Sequence, residues 1–306
     1  SMNGNPDAVS AIAMNRGSTQ LGKLGGGNHF LEIQEITEIY DEEKAKVYGL
    51  EKGMITVMFH SSSRGFGHEI AGDYMKLALS FCKTNNISIP SRELSFLTAD
   101  SQAGKNFVGA MHAAANFAYV NRLIMVNLVR SVIRRHFGKT TALHSVYDVP
   151  HNMVKQESHF GNSLWVHRKG ATRAFSPELM KNSPFDSSGQ PVIIPGSMGT
   201  YSYVLAGIES GNKSLYSVCH GAGRVMSRTE AAGKNRKGKT VKPAAISDDD
   251  FKKSMENVFL VCQDKKSIKE EAPAAYKDIN EVIQIITGEK LALKVARMKP
   301  LAVLKG

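Results

Sequence analysis

The feature that most constrains this chain is a junction between a hydrophobic run and a glycine-rich loop. Residues 215–219 are typical of a strand, and the chain leaves them through His220-Gly221-Ala222-Gly223-Arg224. The two glycines let the backbone approach a phosphate closely, and N–H groups at the start of the basic, helix-compatible segment that follows would favour an anion. His220 is accordingly a phosphate contact, a nucleophile that forms an N–P bond, or a histidine that only makes a hydrogen bond at a strand–loop–helix corner.

Strand-like and helix-like periodicities alternate along the rest of the chain. Strands are predicted at residues 30–36, 55–59, 146–149, 164–166 and 191–194, and helices at residues 69–83 and 105–137, the second kinked or split. Loops are predicted at residues 22–27, 183–190 and 233–243. No linker rich in Pro, Gly or Ser divides the chain, so we predict one large α/β domain over residues 3–306, with central mixed β-sheets flanked by helices. The basic stretch 228–248 is predicted to be a loop inserted in it.

Composition indicates an anionic partner and a reducing compartment. The chain has 306 residues and a formal net charge of +11, a balance that favours nucleic acid as partner. The three cysteines, Cys82, Cys219 and Cys262, are odd in number and far apart, which argues against a disulfide framework and predicts a cytoplasmic or nuclear protein. No run of about 18 apolar residues occurs, so no membrane span is predicted.

Part of the positive charge is concentrated just after His220. The basic residues of this stretch are Arg224, Arg228, Lys234, Arg236, Lys237, Lys239 and Lys242. The first two are spaced to hold the charge of a transferred phosphoryl or nucleotidyl group. The others form either a solvated surface loop or a contact to RNA, and both interpretations stand.

Histidines recur beside predicted strands. His29 precedes the first strand, and four more follow the ends of strands: His60, His151, His167 and His220. Histidines that converge from separate strands are one way of building an open catalytic metal site, although a single histidine after a strand more often makes an ordinary hydrogen bond. The segment 195–200, Pro-Gly-Ser-Met-Gly-Thr, is a tight turn that either cradles a nucleotide or merely links two elements.

Taken together, these segments resemble one family, the RtcB-type RNA-splicing ligases. The matching strings occur in the same order along almost the whole chain, at residues 20–32, 60–68, 148–152, 166–175, 195–203, 220–224, 271–278 and 305–306. The resemblance implies an RtcB-like fold and a GTP- and manganese-dependent RNA ligase. Such an enzyme joins 2′,3′-cyclic phosphate or 3′-phosphate ends to 5′-hydroxyl ends through a histidine–GMP intermediate, in tRNA splicing or RNA repair.

The resemblance also implies roles for individual residues. His220 corresponds to the nucleophile that takes GMP from GTP. The metal ligands it implies are His29, His60 and His151, for a site that holds two Mn²⁺ ions when complete. The guanylate-binding set is Asn28, Glu32, His151, Asn152, Pro195, Gly196, Ser197, Met198, Ser202, His220, Gly221, Ala222, Gly223, Arg224, Tyr276 and Lys305. The contacts to RNA or phosphate are Arg64, His167, Arg168 and Lys169.

One family element is missing from the sequence. The family's metal site also uses an aspartate and a cysteine from an Asp-x-x-Cys-Gly motif ahead of the Gly-Asn-His segment, and this chain lacks that motif. Ser62 also stands where a glycine is usual. We therefore expect an N-terminally incomplete ligase domain that seals RNA poorly or not at all. The alternatives are a metal-dependent phosphodiesterase that uses the same histidines and an RNA-binding remnant without catalysis.

Overall fold

The computed structural model describes residues 2–236, 239–262 and 268–306. The chain forms two compact units. The first, here called the helical unit, comprises the residues up to Gly25 together with His60–Leu143, and the second, the sheet unit, comprises Gly26–Phe59 and His144–Gly306. Whether they form the predicted single domain 3–306 stays a prediction. No helix in the described ranges is both long and apolar enough to cross a membrane.

The two longest helices both belong to the helical unit. Those of the helical unit are α1 (Ala11–Ser18), α3 (Arg64–Thr84) and α4 (Gln102–Phe137), and those of the sheet unit are α2 (Glu42–Tyr48), α5 (Arg228–Ala232), α6 (Asp248–Ser254) and α7 (Ile279–Gly288). Ser10 and Ser101 cap α1 and α4 by accepting a hydrogen bond from a backbone N–H of the first turn. Small residues permit close packing, with Ala13 and Ala110 fully buried in one apolar cluster.

The strands lie mainly in one six-stranded sheet. They are β1 (Phe30–Ile39), β2 (Ile55–His60), β3 (Asn152–His159), β4 (Asn162–Lys169), β5 (Ala171–Arg173), β6 (Pro191–Ile194), β7 (Ser202–Gly207), β8 (Ser217–Cys219), β9 (Lys234–Arg236), β10 (Lys239–Lys242), β11 (Phe259–Cys262) and β12 (Ala292–Lys305). The main sheet has the order β2-β1-β12-β7-β6, and β11 also pairs with β12. Three further pairs lie outside it: β3 with β4, β5 with β8, and β9 with β10.

The fourteen-residue strand β12 organises the sheet. It pairs antiparallel with β1 and β7 and parallel with β11. Its register with β1 shifts where Pro300 lies opposite Gln34, since proline has no N–H to donate to the ladder and is tolerated at such a bulge. Every residue of β7 is buried, because Leu205 belongs to one core cluster and Val204 and Ala206 to another. The core therefore covers both faces of β7.

The mixed α/β class predicted from the sequence is confirmed. The strands predicted at 30–36, 55–59, 164–166 and 191–194 and the helix predicted at 69–83 are all present. The strand predicted at 146–149 is wrong, because this segment forms no regular structure. The predicted split of the long helix is also wrong: α4 runs without interruption for 36 residues, as its alanines allow, and the kink stays a prediction.

Two predictions near His220 need correction. The predicted strand 215–219 is reduced to β8, because Leu215 and Tyr216 have left-handed φ angles of 53° and 50°. The predicted loop 233–243 instead contains β9 and β10, which pair antiparallel. The basic stretch 228–248 also includes α5 and the start of α6, and its residues Lys237 and Gly238 lie outside the described part of the chain.

Candidate functional site

Short strands fix the backbone around His220. Ala171 of β5 pairs with Cys219 of β8, and the His220 N–H donates to the Gly170 carbonyl at 3.3 Å. The loop is held from the other side by the Ala222 N–H, which donates to the Pro195 carbonyl at 3.2 Å. The expected helix start is not next to the histidine, because α5 begins at Arg228. Backbone N–H groups near His220 therefore belong to a loop and not to a helix terminus.

His220 stacks on His151. Their ring centroids are 4.4 Å apart and the rings are inclined by 8°. Burial lowers the pKa of His220, and the neighbouring charge of Lys169 lowers it further. The neutral form is therefore favoured at His220, and only a neutral imidazole has a lone pair with which to attack.

Glu32 lies in a buried polar cluster in the main sheet. Gln34 donates through Nε2 to Glu32 Oε2 at 2.8 Å and to Ser202 Oγ at 3.1 Å. Burial raises the pKa of Glu32 to about 8, although the Gln34 hydrogen bond and the charge of Lys305 act in the opposite direction. Lys305 itself is ordered, since Nζ donates to the Gly27 carbonyl at 2.7 Å. Gln34 is a member of this cluster that sequence reasoning missed, because its hydrogen bonds depend on strand register.

The turn at 195–200 is closed by its own side chains. The Ser197 N–H donates to Thr200 Oγ1 at 2.7 Å, and the Gly196 N–H donates to Ser202 Oγ at 3.4 Å. A β-carbon on Gly196 would lie 2.2 Å from the Tyr201 carbonyl, so only glycine fits there. The Met198 side chain is buried in an apolar cluster, so this residue presents backbone and not side chain to any ligand.

Arg224 and Tyr276 form a second polar group. Arg224 Nη1 donates to Tyr276 Oη at 3.0 Å and lies 3.4 Å from the buried carboxylate of Glu271. Tyr276 Oη also donates to Glu271. Burial and this carboxylate raise the pKa of Tyr276. Arg224 is thus half-buried in an ion pair, and an incoming phosphate would have to compete with Glu271 for it.

Arg168, which was predicted to contact RNA, lies in a buried environment. Arg168 is 6% exposed, and its guanidinium donates to both carboxylate oxygens of Glu157 at 2.7 and 2.8 Å. It also donates to Ser217 Oγ and to the Leu215 carbonyl, each at 2.9 Å. We interpret Arg168 as a residue that ties β4 to the segment leading to His220. Side chains alternate between the two faces of a strand, and His167 and Lys169 on either side of Arg168 are exposed. This alternation could have predicted from the sequence that Arg168 is buried.

The remaining sequence-derived residues are divided between the two units. Asn28, His29 and Asn152 lie in the sheet unit, where Asn152 Oδ1 accepts from the Gly170 N–H at 3.4 Å. His60 and Arg64 lie in the helical unit. Arg64 lies so close to Gly25 that a β-carbon there would be 1.5 Å from its Nη1. The glycine repeat before β1 therefore accommodates an arginine of the same unit.

The predicted manganese ligands belong to both units: His29 and His151 lie in the sheet unit and His60 in the helical unit. Throughout the described ranges, no group of three or more His, Cys, Asp or Glu side chains is arranged to hold a metal ion. The assignment of His29, His60 and His151 as ligands stays a prediction, and we derive no chemical step through a metal.

Comparison with known proteins identifies the class to which this fold and loop belong. The family model described as tRNA-splicing ligase RtcB matches residues 1–306. The chain is 42% identical to the tRNA-splicing ligase RtcB of Pyrococcus abyssi over 311 residues, which cover 98% of this chain and 33% of that protein. It is 41% identical to the tRNA-splicing ligase RtcB of Thermococcus kodakarensis over 312 residues, covering 98% and 62%. The chain belongs to the RtcB family, and it spans between one third and just under two thirds of these relatives.

Proposed function

We propose that this chain contributes the nucleotidyl-transfer chemistry of an RNA ligase and that His220 is its nucleophile. The observation that carries the proposal is the placement of His220: a strand end and two backbone hydrogen bonds fix the loop, and the ring stacks on His151 at 4.4 Å. A ring held in this way loses little further freedom when it attacks, which favours reaction. The names of the relatives, tRNA-splicing ligases, support the coarser statement that the chemistry is RNA ligation.

The reaction would proceed in three transfers. The His220 lone pair attacks the α-phosphorus of GTP, so that an N–P bond forms while the bond to pyrophosphate breaks. The GMP group then passes to an oxygen of the RNA 3′-phosphate, which restores the neutral imidazole. A 5′-hydroxyl finally attacks that RNA phosphorus, loses its proton and displaces GMP, which seals the strand. Ends with a 2′,3′-cyclic phosphate would first be opened by water.

The guanine edge would be recognised by the buried cluster around Glu32. A carboxyl group with a raised pKa exchanges a proton near neutral pH, and Lys305 and Ser202 add a cation and a hydroxyl beside it. The other members of the proposed guanylate set are Asn28, Asn152, Ser197, Arg224, Tyr276 and the backbone of residues 195–198 and 220–223. The proposed RNA contacts are Arg64, His167 and Lys169, whereas Arg168 ties β4 to the segment that leads to His220.

Labelling with GTP that carries ³²P at the α-phosphate tests the nucleophile. The chain incubated with this GTP and Mn²⁺ should acquire an acid-labile, alkali-stable label, and His220→Ala and His220→Asn should abolish it. His136→Ala, at an exposed position on α4, is the matched control and should label like the unaltered chain. Wild-type labelling of His220→Ala would refute the assignment. Cleavage of a phosphodiester without labelling would favour the phosphodiesterase, and RNA binding alone would favour the remnant.

Manganese and cellular location remain separate proposals. Binding of Mn²⁺ can be followed by electron paramagnetic resonance, and loss of the bound signal in His29→Ala, His60→Ala and His151→Ala would support the ligand set implied by the family. Tight binding that none of these variants weakens would refute it.

The described cysteines are all free thiols, in agreement with the reducing compartment, cytoplasmic or nuclear, that we propose.

A further inference from the structure

The β3–β4 hairpin has two chemically different faces. Its strands pair in full register from Asn152 opposite Lys169 to His159 opposite Asn162. The turn consists of Phe160 and Gly161, both with left-handed φ angles, 52° and 75°, as a tight hairpin turn requires. Because side chains alternate along a strand, the register fixes which residues share a face.

One face of the hairpin carries all of its buried side chains and its only carboxylate. Glu157 is the single acidic residue among positions 152–169. On its face lie His159, whose Nε2 is 2.9 Å from Glu157 Oε2, and Arg168 with its paired hydrogen bonds. These contacts neutralise Glu157 internally, so that it contributes little negative charge to the surface.

The opposite face is open and carries a row of aromatic and basic side chains. Trp165, His167 and Lys169 follow one another at every second position of β4, and all three are exposed, Trp165 to 39%. Across the ladder, Gln156, Val154 and Asn152 lie opposite them. At the turn, Phe160 is 70% exposed. This face therefore combines planar rings with the cation of Lys169 and has no acidic side chain.

The basic end of this row leads directly to His220. Lys169 is followed by Gly170, whose carbonyl accepts from the His220 N–H at 3.3 Å, and a β-carbon on Gly170 would be 3.6 Å from His220 Cδ2. Lys169 is close enough for its charge to act on the imidazole. The row therefore begins beside the proposed nucleophile and continues outward to Trp165.

We propose that this open face of the β3–β4 hairpin is a docking surface for the 3′ end of single-stranded RNA. The terminal phosphate lies at Lys169, next to His220, and a base near the end stacks on Trp165. The identity of the RNA end rests on the proposed function. The binding face itself is inferred from the side chains of the β3–β4 hairpin alone. Aromatic rings interleaved with cations are the combination that binds single strands without reading sequence.

A single tryptophan gives this proposal a direct readout. Trp165 is the only Trp of the chain, so fluorescence excited at wavelengths that tyrosine does not absorb reports on this position alone. Titration with a ten-nucleotide single-stranded RNA bearing a 3′-phosphate, without GTP, should quench the fluorescence. The same RNA with abasic sites at its last three positions should quench much less, because no base is left to stack. Equal quenching by both, or by a blunt RNA duplex, would overturn the stacking.

Substitutions test the surface independently of fluorescence. With a labelled RNA followed by anisotropy, Trp165→Ala should weaken binding about 5- to 150-fold, which corresponds to the value of one base–aromatic stack. Trp165→Phe should keep most of the affinity, because phenylalanine can also stack on a base. Retained affinity in this variant would show that substitution at this position leaves the strand intact. Leu164→Ala, on the opposite face of the same strand, is the matched control. A loss in Trp165→Ala no larger than in Leu164→Ala would overturn the proposal.

The salt dependence of binding tests the cationic end. Lys169→Gln should lower the slope of log affinity against log salt by about 0.7, the contribution of one phosphate contact in a single strand. An unchanged slope would show that Lys169 does not contact an RNA phosphate. Failure of the proposed function is distinguishable, because RNA binding and quenching need no GTP: quenching without labelling of His220 would refute the ligase and leave the surface standing.

Discussion

Two glutamates of the sheet unit are both buried, yet they differ in charge. For Glu157, burial alone would raise the pKa, but hydrogen bonds from Arg168 and His159 and the charge of Arg168 hold the pKa below its ordinary value. For Glu32, burial dominates and raises the pKa to about 8, because its hydrogen-bond partner is the neutral amide of Gln34 and Lys305 acts more weakly. Glu32 is the more deeply buried of the two and has no charged hydrogen-bond partner, and these two differences together decide which carboxylate is ionised.

This difference separates structural from chemical residues. The Glu157–Arg168 pair satisfies itself internally and anchors β4 beside the segment that leads to His220. Glu32 keeps a proton near neutral pH and lies beside Ser202 and Lys305, so that its hydrogen-bonding capacity remains available to a ligand. The four experiments below test this comparison.

Removal of the arginine should have the largest effect. Arg168→Met leaves the Glu157 carboxylate buried without its bidentate partner, and we expect a loss of about 3–5 kcal/mol in the free energy of unfolding. Urea denaturation at neutral pH measures it. Arg173→Met is the control, since Arg173 lies 4.0 Å from the same carboxylate and is partly exposed, and it should cost roughly 1 kcal/mol. Similar losses in both variants would contradict the importance of the bidentate geometry.

The second effect concerns stability at alkaline pH. Because the folded protein holds a proton on Glu32 up to about pH 8 and the unfolded chain releases it near the ordinary value of 4.5, stability should fall as pH rises through this window. Glu32→Gln removes the titration, so the variant should gain stability over the unaltered chain between pH 5 and pH 9. Urea unfolding at both values measures this gain. Glu35→Gln on the same strand should show no such gain, and an equal gain there would rule out Glu32 as its source.

The third effect appears at acidic pH. Glu157 has a lowered pKa in the folded state, so its contribution to stability is present above the unfolded value of 4.5 and is lost as pH falls through the folded pKa. Glu157→Gln should therefore destabilise the protein at pH 7 and flatten the fall in stability below pH 4.5. Thermal unfolding between pH 3 and pH 7 follows it. A variant whose acid limb is as steep as that of the unaltered chain would show that other carboxylates dominate.

The smallest effect is expected where the carboxylate is exposed. Lys213 and Glu289 form an ion pair at 3.3 Å, and both side chains are more than half exposed. A double-mutant cycle with Lys213→Gln and Glu289→Gln should give a coupling of about 0–1 kcal/mol, and salt should reduce it further. A coupling as large as the loss in Arg168→Met would mean that burial plays no part.

Local patterns predicted much of the fold but not its central strand. Alternation located β1, and helical spacing located α3. Strand β12 was missed because Lys294 and Lys299 interrupt its apolar residues, Pro300 is unusual in a strand, and register shifts break the alternation of buried positions. Only pairing with β1 and β7 makes this segment a strand, and pairing is not visible in a short window of sequence.

The candidate site shows the same limit. The sequence singled out His220 by its strand end and glycines, but the stacking of His151 on it depends on contacts between residues about 70 positions apart. Arg168 and Lys169 belong to one motif, and alternation places them on opposite faces. That Arg168 meets a carboxylate follows only from the register that brings Glu157 to the same face.

The position of β12 has a consequence for biosynthesis. Leu31 pairs with Leu304, about 270 residues later in the chain. At the usual rate of translation, roughly 14–55 s separate the synthesis of the two partners. During that interval β1 has left the ribosome without its neighbour and exposes a row of unpaired backbone groups. We expect chaperones that bind nascent chains to bind this segment. The yield of active protein in cells should therefore depend on these chaperones, even if the completed fold is stable.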